Sequence, residues 1–147
     1  MRILSITAQK PHSTGSGVYL TETVRGFKEL GHTQAVIAGV TREDSVKLPE
    51  GVGFYPVYYN SPELPFPVCG MSDEMPYEST RYRYMKPDMV DKFEAAFGST
   101  VLRAVKEFRP DVVICHHLYL LAAIVREKLP DMAVWGICHG TDLRQMY

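Results

Sequence analysis

A chain of 147 residues can bury one core and is too short for two comfortable domains. It is 46% hydrophobic and 22% charged with a net charge of −1, and no Lys/Arg cluster dominates any stretch, which argues against a nucleic-acid partner. No apolar run approaches the roughly 18–20 residues that span a bilayer, and the opening MRILSITAQK is too short for the apolar core of a secretion signal. Cys69, Cys115 and Cys138 are odd in number, sit singly and show no CxxC spacing, so a reducing cytoplasm is the expected setting.

The elements follow in chain order. Residues 2–7, RILSIT, form a short β-rich run. Between 18 and 30, Leu20, Val24, Phe27 and Leu30 recur at helical spacing, and Gly31 stops that helix in the manner of a C′ glycine. Residues 34–40 read as a second strand and 52–59 as a third, with Pro56 pointing to an edge or bulged position. The proline-rich stretch 60–86 is irregular and too long for a simple connection, which marks a functional or mobile loop. Residues 88–108 return to helical period through Val90, Phe93, Phe97, Val101 and Phe108. A near-continuous apolar strand (109–117), an apolar helix (118–129) stopped before Pro130, and a last strand (132–139) complete the alternation. Strands that are apolar throughout, separated by helices, predict a doubly wound parallel α/β sheet covered on both faces.

Ligands of such sheets bind beyond the carboxyl ends of the strands. Three polar segments stand there: AQKPHSTGSGVYL, HHLY and HGTD. Gly15, Ser16 and Gly17 would let backbone N–H groups approach an anion at a helix start, the alternative being a plain flexible loop. Leu20 replaces the third glycine of a dinucleotide fingerprint, and no Gly-Lys-Ser/Thr follows. His116, His117 and His139 are either rim residues bonded to backbone or donors to a ligand's hydroxyls or phosphate. Strand alternation sends His117 to the side of Cys115 and His116 to the other, and a thiol among Val and Ile behaves as a small hydrophobe, so no metal is expected. Asp142, or Thr141 before it, reads first as a cap of the terminal helix, and no acid/base partner for Asp142 is identifiable. Arg144 suits an anionic ligand or the plain surface. Glu22 reads as solvated. Tyr77, Tyr82 and Tyr84 with Arg81 and Arg83 suit sugars or phosphates, or form a loop that packs its own tyrosines.

The glycine loop, the strand ending in His-His and the strand ending in His-Gly-Thr-Asp, in this order, resemble the N-terminal domain of the retaining glycosyltransferases of family four. The resemblance runs through essentially the whole chain and implies the N-terminal, acceptor-side half of a GT-B fold over residues 1–147. It further implies transfer of a sugar from a nucleotide-diphosphate donor to a hydroxyl acceptor with retention, without a metal or cofactor. Carried over by position, Gly15, Ser16 and Gly17 would face the donor's diphosphate, with Ser16 interrupting a pair of glycines often seen there. His139 would bond the donor sugar or support the reaction centre. His116, His117, Asp142, Arg144 and residues 60–86 would lie toward the acceptor. The absence of any Asp-x-Asp agrees with metal independence.

In that family more of the first domain, then a nucleotide-binding second domain, follows the His-Gly strand. The terminal helix, starting at about Thr141, is far below the ~12–15 residues an isolated helix needs. A fragment, inactive by itself, is the expectation, with homo-oligomerisation through an exposed sheet edge and peripheral membrane attachment left open. The alternatives are an NAD(P)-type oxidoreductase domain, disfavoured by Leu20 and by the late position of Glu43, and a stand-alone sugar- or anion-binding module.

Overall fold

The structure is a computed structural model that describes residues 1–144. Five parallel strands form its sheet: β1 (Arg2–Thr7), β2 (Thr33–Val40), β3 (Gly53–Tyr58), β6 (Val112–His116) and β7 (Val134–Ile137), in the order β3-β2-β1-β6-β7. The apolar runs alternate between two faces. Leu4, Ile6, Ala35, Ile37, Val113 and Cys115 pack into the larger core with α2 (Pro87–Phe108) and α3 (Leu120–Lys128). On the opposite face Val36, Ala38 and Val40 meet Leu20 and Val24 of α1 (Gly15–Glu29). The expected doubly wound, Rossmann-like parallel sheet is the one observed.

Helix α2 forms where its spacing predicts. Pro87 occupies the first turn, Asp88 complements the helix dipole, and Arg109 closes the helix in the left-handed region at φ 51°. Its buried stripe runs through Phe93, Phe97, Val101, Ala104 and Phe108, and the Phe93 and Phe97 rings lie 4.5 Å apart. Burial of each such phenyl group stabilises the fold by about 1.5–3 kcal/mol.

Four sequence expectations are adjusted. Helix α1 begins at Gly15 rather than at Val18, because Thr14 caps it and accepts the Gly17 N–H at 3.1 Å. The Gly15–Gly17 segment is thus a first helical turn and not a free loop. Residues 60–86 carry only the two-residue strands β4 (Cys69–Gly70) and β5 (Thr80–Arg81) and a 3-10 turn at Tyr82–Tyr84, yet they are far from loose. Leu64, Phe66, Val68, Cys69 and Met71 are buried in this stretch, and of its aromatics only Tyr84 is exposed. The last strand is not buried: β7 pairs with β6 at the sheet's rim, with Trp135 66% exposed and Cys138 exposed beyond it. Finally, the terminal helix α4 (Gly140–Arg144) starts one residue earlier than expected, and residues 145–147 lie outside the described residues. Pro56 does lie in an edge strand, β3.

The strand order reverses between β1 and β6. After β1 the chain moves outward through β2 and β3, then returns across the sheet by α2 to the other side of β1. The crevice at the carboxyl ends of β1 and β6 is therefore the topological switch point, where open α/β sheets hold their ligands.

Candidate functional site

The segment leaving β1 curls back over the start of α1. Gln9 bonds the Thr7 hydroxyl through its backbone N–H at 3.2 Å, and Lys10 forms a 2.7 Å ion pair with Asp44. Burial alone would raise the Asp44 carboxyl, but the bonds from Lys10 and Thr41 outweigh it and hold it below its usual range. Gly17 is required here: a Cβ would stand 2.6 Å from the Lys10 carbonyl oxygen.

At the end of β6, His117 adopts φ 75°, a left-handed conformation uncommon outside glycine and associated with functional sites. Its N–H bonds the Ile137 carbonyl at 3.1 Å, which ties the turn to β7. This turn breaks the strand alternation, so His116 and His117 are not separated as expected. Both rings flank His139, with centroids 5.8 Å and 4.5 Å away.

The acid/base partner for Asp142 that was not legible in the sequence is His117. His117 Nδ1 lies 2.5 Å from Asp142 Oδ1, and both side chains are buried. The second oxygen, Oδ2, accepts the N–H groups of Leu118 at 3.0 Å and His139 at 2.9 Å. Asp142 therefore does cap the terminal helix, but from its third residue back onto the capping residue His139, as in half of a capping box. Burial works to raise this carboxyl, and the two N–H bonds with the His117 contact bring it below the usual carboxylate range. A carboxylate only accepts, so neutral His117 carries its proton on Nδ1 and presents a lone pair at Nε2. Ser16 Oγ, 2.9 Å away, and the Gln9 side-chain amide, 3.2 Å away, both stand at that atom.

His116 is 2% exposed, and neither ring nitrogen has a hydrogen-bond partner among the described residues. Burial, then the neighbouring His139 and His117, push its pKa down to about 3, so it is neutral. His139 is shifted downward as well, by burial first and His117 second, with Asp142 opposing. Tyr19 stands edge-on to His139 at 5.6 Å and to His116 at 6.0 Å.

A cavity of about 440 Å³ opens beside these groups. Gly15, Ser16, His117, His139 and Arg144 line it, together with Met71, Ser72, Glu74, Met75 and Pro76 from the 60–86 stretch. Of the sequence candidates, Gly17 lies just behind this wall as the close-packed turn of α1. Asp142 stands behind His117, and His116 borders a small neighbouring void instead. Gln9, Met71 and Glu74 were not singled out individually, although each falls in a segment the sequence placed at the site. The position of Gln9 just past the first strand was a usable signal, whereas Met71 and Glu74 were indicated only as members of the 60–86 stretch. No group of three or more His, Cys, Asp or Glu among the described residues is arranged to hold a metal ion, and no described helix is long and apolar enough to cross a membrane.

Solved structures share this fold. The UDP-GlcNAc 2-epimerase from Neisseria meningitidis, bound to UDP-GlcNAc, superposes with a TM-score of 0.55 at 11% identity over 93% of this chain and 32% of its own. A putative UDP-N-acetylglucosamine 2-epimerase from Listeria monocytogenes gives 0.55 at 7% identity over 92% of this chain and 30% of its own. The chain thus spans about a third of the length of the structures it matches. None of the curated proteins matches the sequence. The sequence itself matches the family of the glycosyl transferase 4-like domain over residues 14–146, which takes in Ser16, His117, His139 and Asp142 alike. The chain belongs to that family.

Proposed function

We propose that this domain is the acceptor-facing half of a transferase that moves a sugar from a nucleotide-diphosphate donor to a hydroxyl acceptor, with retention of anomeric configuration and without a metal ion. The observation that carries the reading is the meeting of the α1 N-terminus, His139 and the His117–Asp142 pair on one cavity, in a glycosyl transferase 4-like chain. The first-turn N–H groups of Gly15 and Ser16 and the Arg144 guanidinium offer positive charge to a diphosphate at that wall. Neutral His139 stands beside the sugar. The Nε2 lone pair of His117 orients the acceptor hydroxyl, whose proton passes to the leaving diphosphate oxygen. Electrostatic preorganisation of this kind needs no divalent cation.

A specific observation favours a second stereochemical course. A histidine whose Nδ1–H is held by a buried carboxylate is a competent general base, and a protein base is what direct, inverting displacement uses. The test is transfer by the full-length protein from a panel of α-linked nucleotide-diphosphate sugars, with the product's anomeric proton read by NMR. An α-product supports retention and a β-product the inverting course. Binding of NAD in preference to every nucleotide sugar would overturn both.

A further inference from the structure

Ser16, His117 and Asp142 come from three separate parts of the chain and form a line of hydrogen bonds, in which the Ser16 hydroxyl has no part in the sugar transfer proposed above. Ser16 Oγ lies 2.9 Å from His117 Nε2, and His117 Nδ1 lies 2.5 Å from Asp142 Oδ1. This is the nucleophile, base and orienting acid of acyl transfer, a constellation recognised by geometry and roles on unrelated folds.

Three features separate it from a chance contact. Asp142 cannot swing away, because its other oxygen is held by two backbone N–H groups, so the His117 lone pair stays aimed at Ser16. Ser16 is the second residue of a 15-residue helix. The earliest N–H groups of a helix have no intrahelical acceptor, and the Thr14 side chain takes only that of Gly17. The amides of Gly15 and Ser16 are thereby left at the cavity wall to bind a developing oxyanion, aided by the helix dipole. The cavity itself has an apolar side made by Met71, Met75 and Pro76, with room for a short acyl chain.

We propose that Ser16 is an activated nucleophile and that this cavity cleaves small carboxylic esters. Ser16 Oγ bonds to the ester carbonyl carbon while its proton moves to His117 Nε2, and Asp142 stabilises the resulting imidazolium. The carbon–oxygen bond to the alcohol breaks, and the alcohol leaves with the proton from Nε2. Water then attacks the acyl-Ser16 carbonyl and gives a proton to Nε2. That proton returns to Ser16 Oγ as the carboxylic acid departs. Gln9 accommodates both states of the histidine. Its amide nitrogen faces the neutral ring, and its amide oxygen, after the group turns over, faces the imidazolium N–H.

The test is independent of sugar transfer. The full-length protein is treated with a fluorophosphonate, whose phosphorus bonds to an activated serine oxygen as fluoride leaves, and the adduct is located by peptide mass spectrometry. One adduct per chain, on Ser16, is expected, as is a burst of p-nitrophenol from p-nitrophenyl acetate that Ser16→Ala removes. Ser16→Ala removes the hydroxyl that meets Thr14 and His117 while Gln9 still faces His117 Nε2, and an unchanged denaturation midpoint shows that the variant reports chemistry alone. Asp142→Asn, where it folds, should label at least about tenfold more slowly. An unlabelled Ser16 in the wild-type protein overturns the proposal, as does a nitrophenol burst that persists unchanged in Ser16→Ala.

Discussion

Helix α1 passes so close beneath Lys10 at Gly17 that a Cβ there would lie 2.6 Å from the Lys10 carbonyl oxygen and 2.9 Å from the His12 nitrogen. Both obstacles are backbone, and neither can turn aside as a side chain would. Two residues earlier, a Cβ on Gly15 would meet nothing within 4 Å. Gly17→Ala should therefore destabilise the protein by about 1–3 kcal/mol through overpacking. Gly15→Ala should be neutral or stabilise it by up to about 1 kcal/mol by restricting the unfolded chain. Urea denaturation of the two variants checks the contrast, and equal midpoints would refute it.

The stability of the protein should fall on acidification, beginning well above the carboxylate range. An unfolded histidine titrates near 6.5, whereas burial holds His116 down to about 3. Between those values the unfolded chain takes up a proton that the folded chain refuses. Stability from this residue is thus fully present above pH 6.5 and is lost as pH falls toward 3, with a slope of at most about 1.4 kcal/mol per pH unit. His139, also shifted downward, adds in the same direction, and Asp142 joins below the ordinary carboxylate pKa. Denaturation midpoints measured from pH 7.5 to 4 should show the decline, and His116→Leu should make it shallower.

Replacement of Asp142 by Asn leaves an acceptor oxygen for the N–H groups of Leu118 and His139 but removes the charge opposite His117. The expected cost is about 1–3 kcal/mol for the poorly satisfied buried group. In NMR the His117 ring protons should shift, because the tautomer is no longer fixed by a carboxylate. An unchanged midpoint and unchanged ring shifts would mean that the pair does not govern His117.

The three cysteines should separate cleanly by reactivity. Burial pushes the thiols of Cys69 and Cys115 up to about 12, and Cys138 is exposed. Only the thiolate attacks a disulfide reagent. One thiol per native chain should react rapidly at pH 8, and Cys138→Ser should abolish that phase. Rapid reaction of two or more thiols in the native protein would show that the core opens easily.

The elements with unbroken periodicity were legible because one apolar stripe or run decides them: Phe93, Phe97 and Val101 for α2, Val112–His116 for β6. The start of α1 was not, because glycines at 15 and 17 argue locally against a helix, whereas Thr14 caps one there and the overlying Lys10 carbonyl leaves room only for glycine at 17. The exposure of β7 was hidden for a different reason. Its apolar composition reads as interior, while its rank at the rim of the sheet is a property of strand order. At the site, residue types clustered where the fold predicted, at the carboxyl ends of the strands. The pairing of His117 with Asp142 needed a left-handed backbone at His117, which period-two reasoning assigns to no residue.

Trp135 is the single tryptophan of the chain, and it sits on β7, which among the described residues pairs on one side only. The protein thus carries its own optical reporter on the open flank of its sheet. With the indole 66% exposed, emission should be red and readily quenched by iodide, and a blue shift would signal that a surface has come to rest against that flank. The cavity wall contains no indole, so small molecules filling it should leave this signal nearly unmoved. One fluorescence titration therefore distinguishes a partner at the flank from a ligand in the cavity.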